Sequence, residues 1–169
     1  MVDLPADEPG GAGFDSAHFR TVLGHFPTGV VVVTAVGAGG PVGMAVGSFT
    51  SVSLDPPLVA FCPDLRSTTW PTIREVRLFC ANVLSEDQED VCRVFATKGG
   101  DKFAGVGWHP ASTGSPRLTG VLAWIDCEID TVHDAGDHQI CVGKVRELGV
   151  ERAGGPLVFY RGGYGSFES

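Results

Sequence analysis

The chain has 169 residues, a formal net charge of −8, and a composition that is 43% hydrophobic and 19% charged. That length suits one domain with a sizeable core, and the acidic balance excludes broad electrostatic attraction to nucleic acid or anionic lipid. No apolar run approaches the roughly 18 residues of a membrane helix, and the odd number of cysteines, with no Cys-x-x-Cys, reads as free thiols in a reducing cytoplasm.

Residues 1–13 are rich in Asp, Glu, Pro and Gly and lack the basic start and apolar centre of a signal peptide. They read as a disordered tail ahead of one domain over residues 14–169. Asp15 or Ser16 can cap a helix that places Phe19, Val22, Leu23 and Phe26 on one face and ends at Pro27. That face is expected to lie against a sheet. Gly29–Val36 is a continuous β-branched run and predicts a buried strand, reversed by the turn at Gly37–Pro41.

From Gly43 to Pro57 apolar residues alternate with small or hydroxyl residues, which predicts an extended segment packed on one face and open on the other. An ordinary half-buried strand reads the same way; a backbone lined by small residues also admits a flat ligand closely. Leu58–Cys62 predicts a further strand. Ser67, Thr68 and Thr69 beside Arg66 precede a short helix at Thr72–Val76, where the hydroxyls serve either an anion or simple helix capping. Leu78–Leu84 is the next strand, with Asn82 needing a partner if buried.

Ser85-Glu86-Asp87-Gln88 matches a capping box opening a helix with Val91 and Phe95 one turn apart, and residues 97–117, with Lys98, Lys102, Phe103 and Trp108, read as loop. Leu122–Val132 alternates Ala123, Ile125, Cys127 and Ile129 against Trp124, Asp126, Glu128 and Asp130, a half-exposed antiparallel strand. His133–Asp137 forms the turn, His138–Leu148 returns, and Pro156–Tyr160 is the last strand. Many short strands with few helices favour an antiparallel barrel over a parallel α/β sheet.

Several chemistries fail on spacing. Gly37 and Gly39 begin a dinucleotide fingerprint, but Val42 takes the place of the third glycine and no helix pattern follows. No Gly-Lys-Ser/Thr and no Gly-x-Ser-x-Gly occur. His133, Asp134, Asp137 and His138 cluster at one turn without a standard ligand spacing, so no metal is expected. The residues alone reach a β-barrel with a small-residue groove and name no reaction.

A set of motifs in order carries a resemblance: Phe26-Pro27-Thr28-Gly29-Val30, Gly43-Met44 through Ser48–Pro57, Asn82-Val83-Leu84, Phe95 with Asp101-Lys102-Phe103, Ala135-Gly136-Asp137-His138, and Tyr160-Arg161-Gly162-Gly163-Tyr164. Together they resemble the short-chain flavin reductases that supply reduced flavin to two-component monooxygenases. The resemblance implies a mainly β fold, an antiparallel split β-barrel of Greek-key topology with a few flanking helices, assembled as a homodimer. It implies FMN or FAD reduced by NADH or NADPH, with a monooxygenase component served through diffusible flavin; charge and hydropathy point to neither a nucleic-acid nor a membrane partner.

Carried over to this chain, Met44, Ala45, Val46, Gly47, Ser48, Ser51, Val52 and Ser53 contact the isoalloxazine and ribityl chain. Ser67, Thr68 and Thr69 hold the phosphate, Asn82 and Val83 line the flavin, and Lys102 and Phe103 close the site. His138, the expected catalytic residue, borders the nicotinamide with Tyr160, Arg161 and Tyr164. Hydride passes from nicotinamide C4 to flavin N5 with the rings stacked at about 3–3.5 Å, and the cofactors carry that chemistry. Ala45 and Gly47 depart from the Thr and Ser common in the family, and each lost hydrogen bond is worth about 0.5–1.5 kcal/mol. A flavin-binding barrel without turnover is the alternative; a pyridoxamine-phosphate oxidase is disfavoured by the few Arg and Lys residues flanking the groove.

Overall fold

The computed structural model describes residues 15–167; the tail read over residues 1–13 lies outside them. Helix α1 (Ser16–Leu23) precedes strands β1 (Thr28–Gly29), β2 (Val31–Gly37), β3 (Gly40–Val46), β4 (Thr50–Leu54) and β5 (Pro57–Phe61). Then come α2 (Trp70–Val76), β6 (Leu78–Val83), α3 (Glu89–Ala96), β7 (Trp108–Pro110) and β8 (Pro116–Leu118). The chain ends with β9 (Ala123–Ala135), β10 (His138–Val150), β11 (Leu157–Tyr160) and β12 (Gly163–Ser166). The fold is mainly β, and every strand pairing is antiparallel among the described residues.

Seven strands form the main sheet in the order β3-β2-β6-β9-β10-β5-β4. The stretch from Gly43 to Pro57 is therefore not one extended segment. Its first part completes β3 and its second forms β4, at opposite edges of the sheet, with residues 47–49 carrying the chain between them. The turn at Asp55 and Pro56 returns β4 onto β5, so Pro57 starts a strand rather than ending the pairing.

The sheet is buried on both sides, which is why β2 and β6 read as unbroken apolar runs. Val31, Val33, Phe79, Ala81, Phe61 and Ile129 face one core, which Trp70 and Ile73 of α2 complete. Val32, Cys80, Leu118 and Trp124 face a second, built with Cys92 and Phe95 of α3. Gly143 lets Phe79 fill the first core, since a Cβ there would lie 2.5 Å from the ring.

Hairpin β7–β8, within the segment expected to be loop, covers part of the second face. It explains why Asp126, expected to face solvent on β9, is buried. Ser112 Oγ and Thr113 N each donate to Asp126 Oδ2 at 2.8 Å, and Thr113 Oγ1 donates to Oδ1 at 2.6 Å. Asn82 is spent on the same hairpin and is not a groove residue. Its Nδ2 donates to Val32 O at 3.1 Å and Pro116 O at 3.3 Å, and its Oδ1 accepts from Leu118 N at 2.8 Å. Thr34 Oγ1 also donates to Pro116 O. Val83, partly buried, packs against the first core.

Three local expectations also shift. Gln88 Oε1 accepts from Ser85 N at 3.1 Å, half of the expected capping box, but α3 starts only at Glu89. The β9–β10 turn shrinks to Gly136 and Asp137, with Ala135 paired to His138. Asp15 Oδ1 caps α1 by accepting from His18 N at 2.7 Å, yet the helix has no buried residue, so its apolar face is not packed into a core as expected.

Replacing Asn82 by Ala strands the Leu118 N–H and removes the hairpin's anchor inside the core. We expect a loss of about 2–3 kcal/mol, read as a lower urea midpoint at unchanged m-value; a change below about 0.5 kcal/mol would contradict the anchoring role.

Candidate functional site

A groove follows β3, with α3 and residues 97–102 on one side and the loop at 64–69 on the other. Small residues make it possible. A Cβ on Gly43 would lie 2.5 Å from Phe95 Cε1, so α3 seats directly on bare strand backbone. A Cβ on Gly47 would lie 2.9 Å from Thr28 Oγ1.

Three cavities lie along this strand. One, about 170 Å³, is lined by Val30, Ala45, Gly47, Cys92, Phe159 and Tyr164 among others. The next, about 140 Å³, takes in Met44, Ala45, Arg66, Ser67, Lys98 and Lys102. The third, about 420 Å³, lies over Pro41, Val42 and Gly43 and is bounded by Gly39, Gly99, Gly100 and Asp101. Ala45 is common to the first two, and Thr68, Thr69 and Lys102 to the last two.

Lys102 bridges the two walls: its Nζ donates to Gly43 O at 3.2 Å and to Phe95 O at 3.1 Å. Burial lowers its pKa, because a half-desolvated ammonium loses hydration that the carbonyls only partly replace. Phe103 does not line these cavities but supports their wall, edge-on between Phe95 at 5.2 Å and Trp108 at 6.2 Å.

Across the groove, Ser67 Oγ accepts from Thr69 N at 3.2 Å and Trp70 N at 3.1 Å. Of the two uses open to this hydroxyl, the structure shows capping, and both amides are occupied. Thr68 is exposed, and Thr69 Oγ1 points toward Gly43 O at 3.5 Å. Arg66 is paired with Asp64, whose Oδ1 and Oδ2 accept from Nε at 3.2 Å and Nη2 at 2.8 Å, and these bonds hold the Asp64 carboxyl well below its usual range.

Tyr164 walls the cavity at the Ala45–Gly47 end. Its hydroxyl lies 3.3 Å from Cys92 Sγ, and the Arg93 guanidinium sits 5.1 Å from its ring centroid. The hydrogen bond with Cys92, together with burial, pushes the phenol up to about 12. Burial also raises the Cys92 thiol, which keeps it protonated and unreactive.

The other expected residues are dispersed. Ser48 Oγ accepts from Cys62 N at 2.9 Å, while Ser51, Val52 and Ser53 lie on β4, outside these cavities. Tyr160 and Arg161 sit beside α1, with the Tyr160 ring 6.4 Å from His25 and Arg161 N donating to Gly24 O at 3.0 Å. His138 lines none of these three cavities; its backbone is bridged to Asp64 and its Nδ1 lies 2.7 Å from Asp137 Oδ1. Sequence reasoning missed Cys92, Ala96 and Phe159; Cys92 and Ala96 are one helical turn apart on α3, a spacing that marks a shared face.

The chain is 55% identical over 159 residues to a flavin reductase of Pseudomonas putida, covering 94% of each. A crystal structure of a nitrilotriacetate monooxygenase component B homolog from Mycobacterium thermoresistibile superposes with a TM-score of 0.89 at 48% identity, over 94% of this chain and 89% of that one. The Streptomyces globisporus NADH:FAD oxidoreductase SgcE6, solved with NAD and FAD fragments, gives 0.86 at 37% identity, over 91% and 93%. The profile of the flavin reductase like domain matches residues 23–168, and the chain belongs to that family.

Proposed function

We propose that the protein is an NAD(P)H:flavin oxidoreductase that transfers hydride from NADH or NADPH to FMN or FAD and supplies reduced flavin to a partner monooxygenase. The observation that carries this reading is the β3 groove, whose floor is bare enough for a planar ring and whose middle is flanked by cations. Family membership supports turnover over a flavin-binding barrel without it.

The residues fit a flavin. Ala45, Val46 and Gly47 offer backbone and small side chains to a ring, and Tyr164 closes that end. Thr68, Thr69, Lys98 and Lys102 suit a phosphate. The flavin, when bound, supplies the hydride-accepting chemistry. The chain's own work is to orient the ring, hold the phosphate and limit water at the reacting edge. Backbone N–H groups along the groove substitute for the hydroxyls absent at Ala45 and Gly47.

We assign the nicotinamide side to His138, Tyr160, Arg161 and Tyr164, and the remaining flavin contacts to Met44, Ser48 and the Ser51–Ser53 segment. These residues belong to separated parts of one chain, which supports completion of the site in a homodimer. Val22 and Leu23 of α1, with Phe26, are each at least half exposed. Burying such side chains contributes about 1.5–3 kcal/mol each. The junction of β3 and β4 through residues 47–49 supports a split barrel of Greek-key topology, and the free cysteines support a cytoplasmic setting. No described helix is long and apolar enough to cross a membrane.

Purified protein with NADH or NADPH and added FMN or FAD is expected to show loss of absorbance at 340 nm; no oxidation in any of the four combinations overturns the reading. His138→Ala is expected to raise the nicotinamide KM about tenfold while flavin Kd stays within about twofold, and parallel loss of both refutes the assignment. Leu23→Glu is expected to turn a dimer into a monomer in light scattering, and an unchanged mass would place the dimer contact elsewhere.

A further inference from the structure

The cationic and hydroxyl groups of the groove sit in its middle, not at its end. Thr68, Thr69 and Lys102 are shared by the cavity over Met44 and Ala45 and by the larger one over Pro41, Val42 and Gly43. Arg66 and Lys98 join them from the first side only. A mononucleotide carries its phosphate at one terminus and leaves nothing to fill a space beyond it. A ligand with groups on both sides of its phosphates is a pyrophosphate-linked dinucleotide.

The outer cavity has the size and chemistry for the second half. Its volume of about 420 Å³ exceeds the about 140 Å³ of its neighbour and falls in the range of about 300–1,000 Å³ that holds small molecules. Beyond Gly43 and the shared Thr68, Thr69 and Lys102, its boundary is Gly39, Pro41, Val42, Gly99 and Gly100, which add no charge, and Asp101. The Asp101 carboxylate offers acceptors suited to ribose hydroxyls or an exocyclic amine, although one of its oxygens already accepts from Phe103 N at 3.0 Å. A Cβ on Gly39, Gly99 or Gly100 meets nothing within 4 Å, so these positions border open space rather than packed protein.

We infer that this chain selects FAD over FMN, with the pyrophosphate between Thr68, Thr69 and Lys102 and the adenylate half in the cavity bounded by Gly39, Val42, Gly99 and Asp101. The inference rests on the reductase reading above and assigns its flavin.

The test compares FAD, FMN and riboflavin binding by flavin fluorescence on the full chain, beside Gly39→Phe. Gly39 lines the cavity, lacks positive φ and has free space at its Cβ, so a Phe side chain there is accommodated at the cavity's rim without backbone strain. The wild type is expected to bind FAD about tenfold or more tighter than FMN, and Gly39→Phe to bring that ratio to within about threefold of one. Equal or tighter FMN binding by the wild type overturns the inference while leaving the reductase reading intact. An unchanged ratio in a folded Gly39→Phe protein, or a rise confined to the NADH KM, also overturns it, the latter by assigning the cavity to the nicotinamide cosubstrate. Failure to bind any flavin overturns both readings.

Discussion

The groove depends on a missing side chain. Gly43 leaves β3 bare where Phe95 descends from α3, and a methyl group there would have to displace a ring that is 1% exposed. Overpacking of that kind costs about 1–3 kcal/mol. Because α3 sits so low, Lys102 reaches both Gly43 O and Phe95 O, and one side chain ties the walls together. The depth of the groove and the position of its ammonium thus follow from the same absence of a Cβ.

The wall is held from behind by polar groups that never meet the groove. Phe95 rests on Phe103 and Phe103 on Trp108, the first residue of β7. The β7–β8 hairpin is fixed by Asn82 and Asp126, both with no exposed surface and both hydrogen-bonded. Buried polar groups add little net stability when paired and cost much when one partner is removed. Their contribution here is geometric: directional bonds select one seating of a short hairpin that apolar contacts alone would leave free to slide.

Local pattern made most of the strands legible. The β-branched run of β2, the turn at Gly37–Gly40, the apolar β6 and the long β9–β10 ribbon all follow from composition and period. Nonlocal cover was not legible. Asp126 has the alternation of a solvent-facing residue, and only a hairpin formed by residues 108–118 turns that face inward. Asn82 lies in a motif that pointed to the ligand, yet its amide is taken up by Val32, Pro116 and Leu118, contacts set by tertiary packing. The alternation of residues 43–57 likewise suits one long strand or two, and nothing local reveals that its halves reach opposite sheet edges. Part of the candidate site was visible as a small-residue strand and a hydroxyl cluster, while Cys92 and Phe159 enter only through the packing of α3 and β11.

The state of the cations bears on how such a site releases its ligand. Arg66 is paired with the Asp64 carboxylate, whereas Lys102 Nζ is bonded to two neutral carbonyls and keeps its charge. Binding a phosphate trades existing partners for new ones, and the net gain is smaller than the contact suggests. Ala45 and Gly47 carry no side-chain hydroxyl, so shape and backbone define that end of the groove. An enzyme that retains its flavin gains from tight charge pairing, whereas one that hands reduced flavin to a second protein needs release within each turnover. The Arg66–Asp64 pair and the carbonyl bonds of Lys102 would have to be exchanged when an anion enters the groove, which lowers the net gain from holding it.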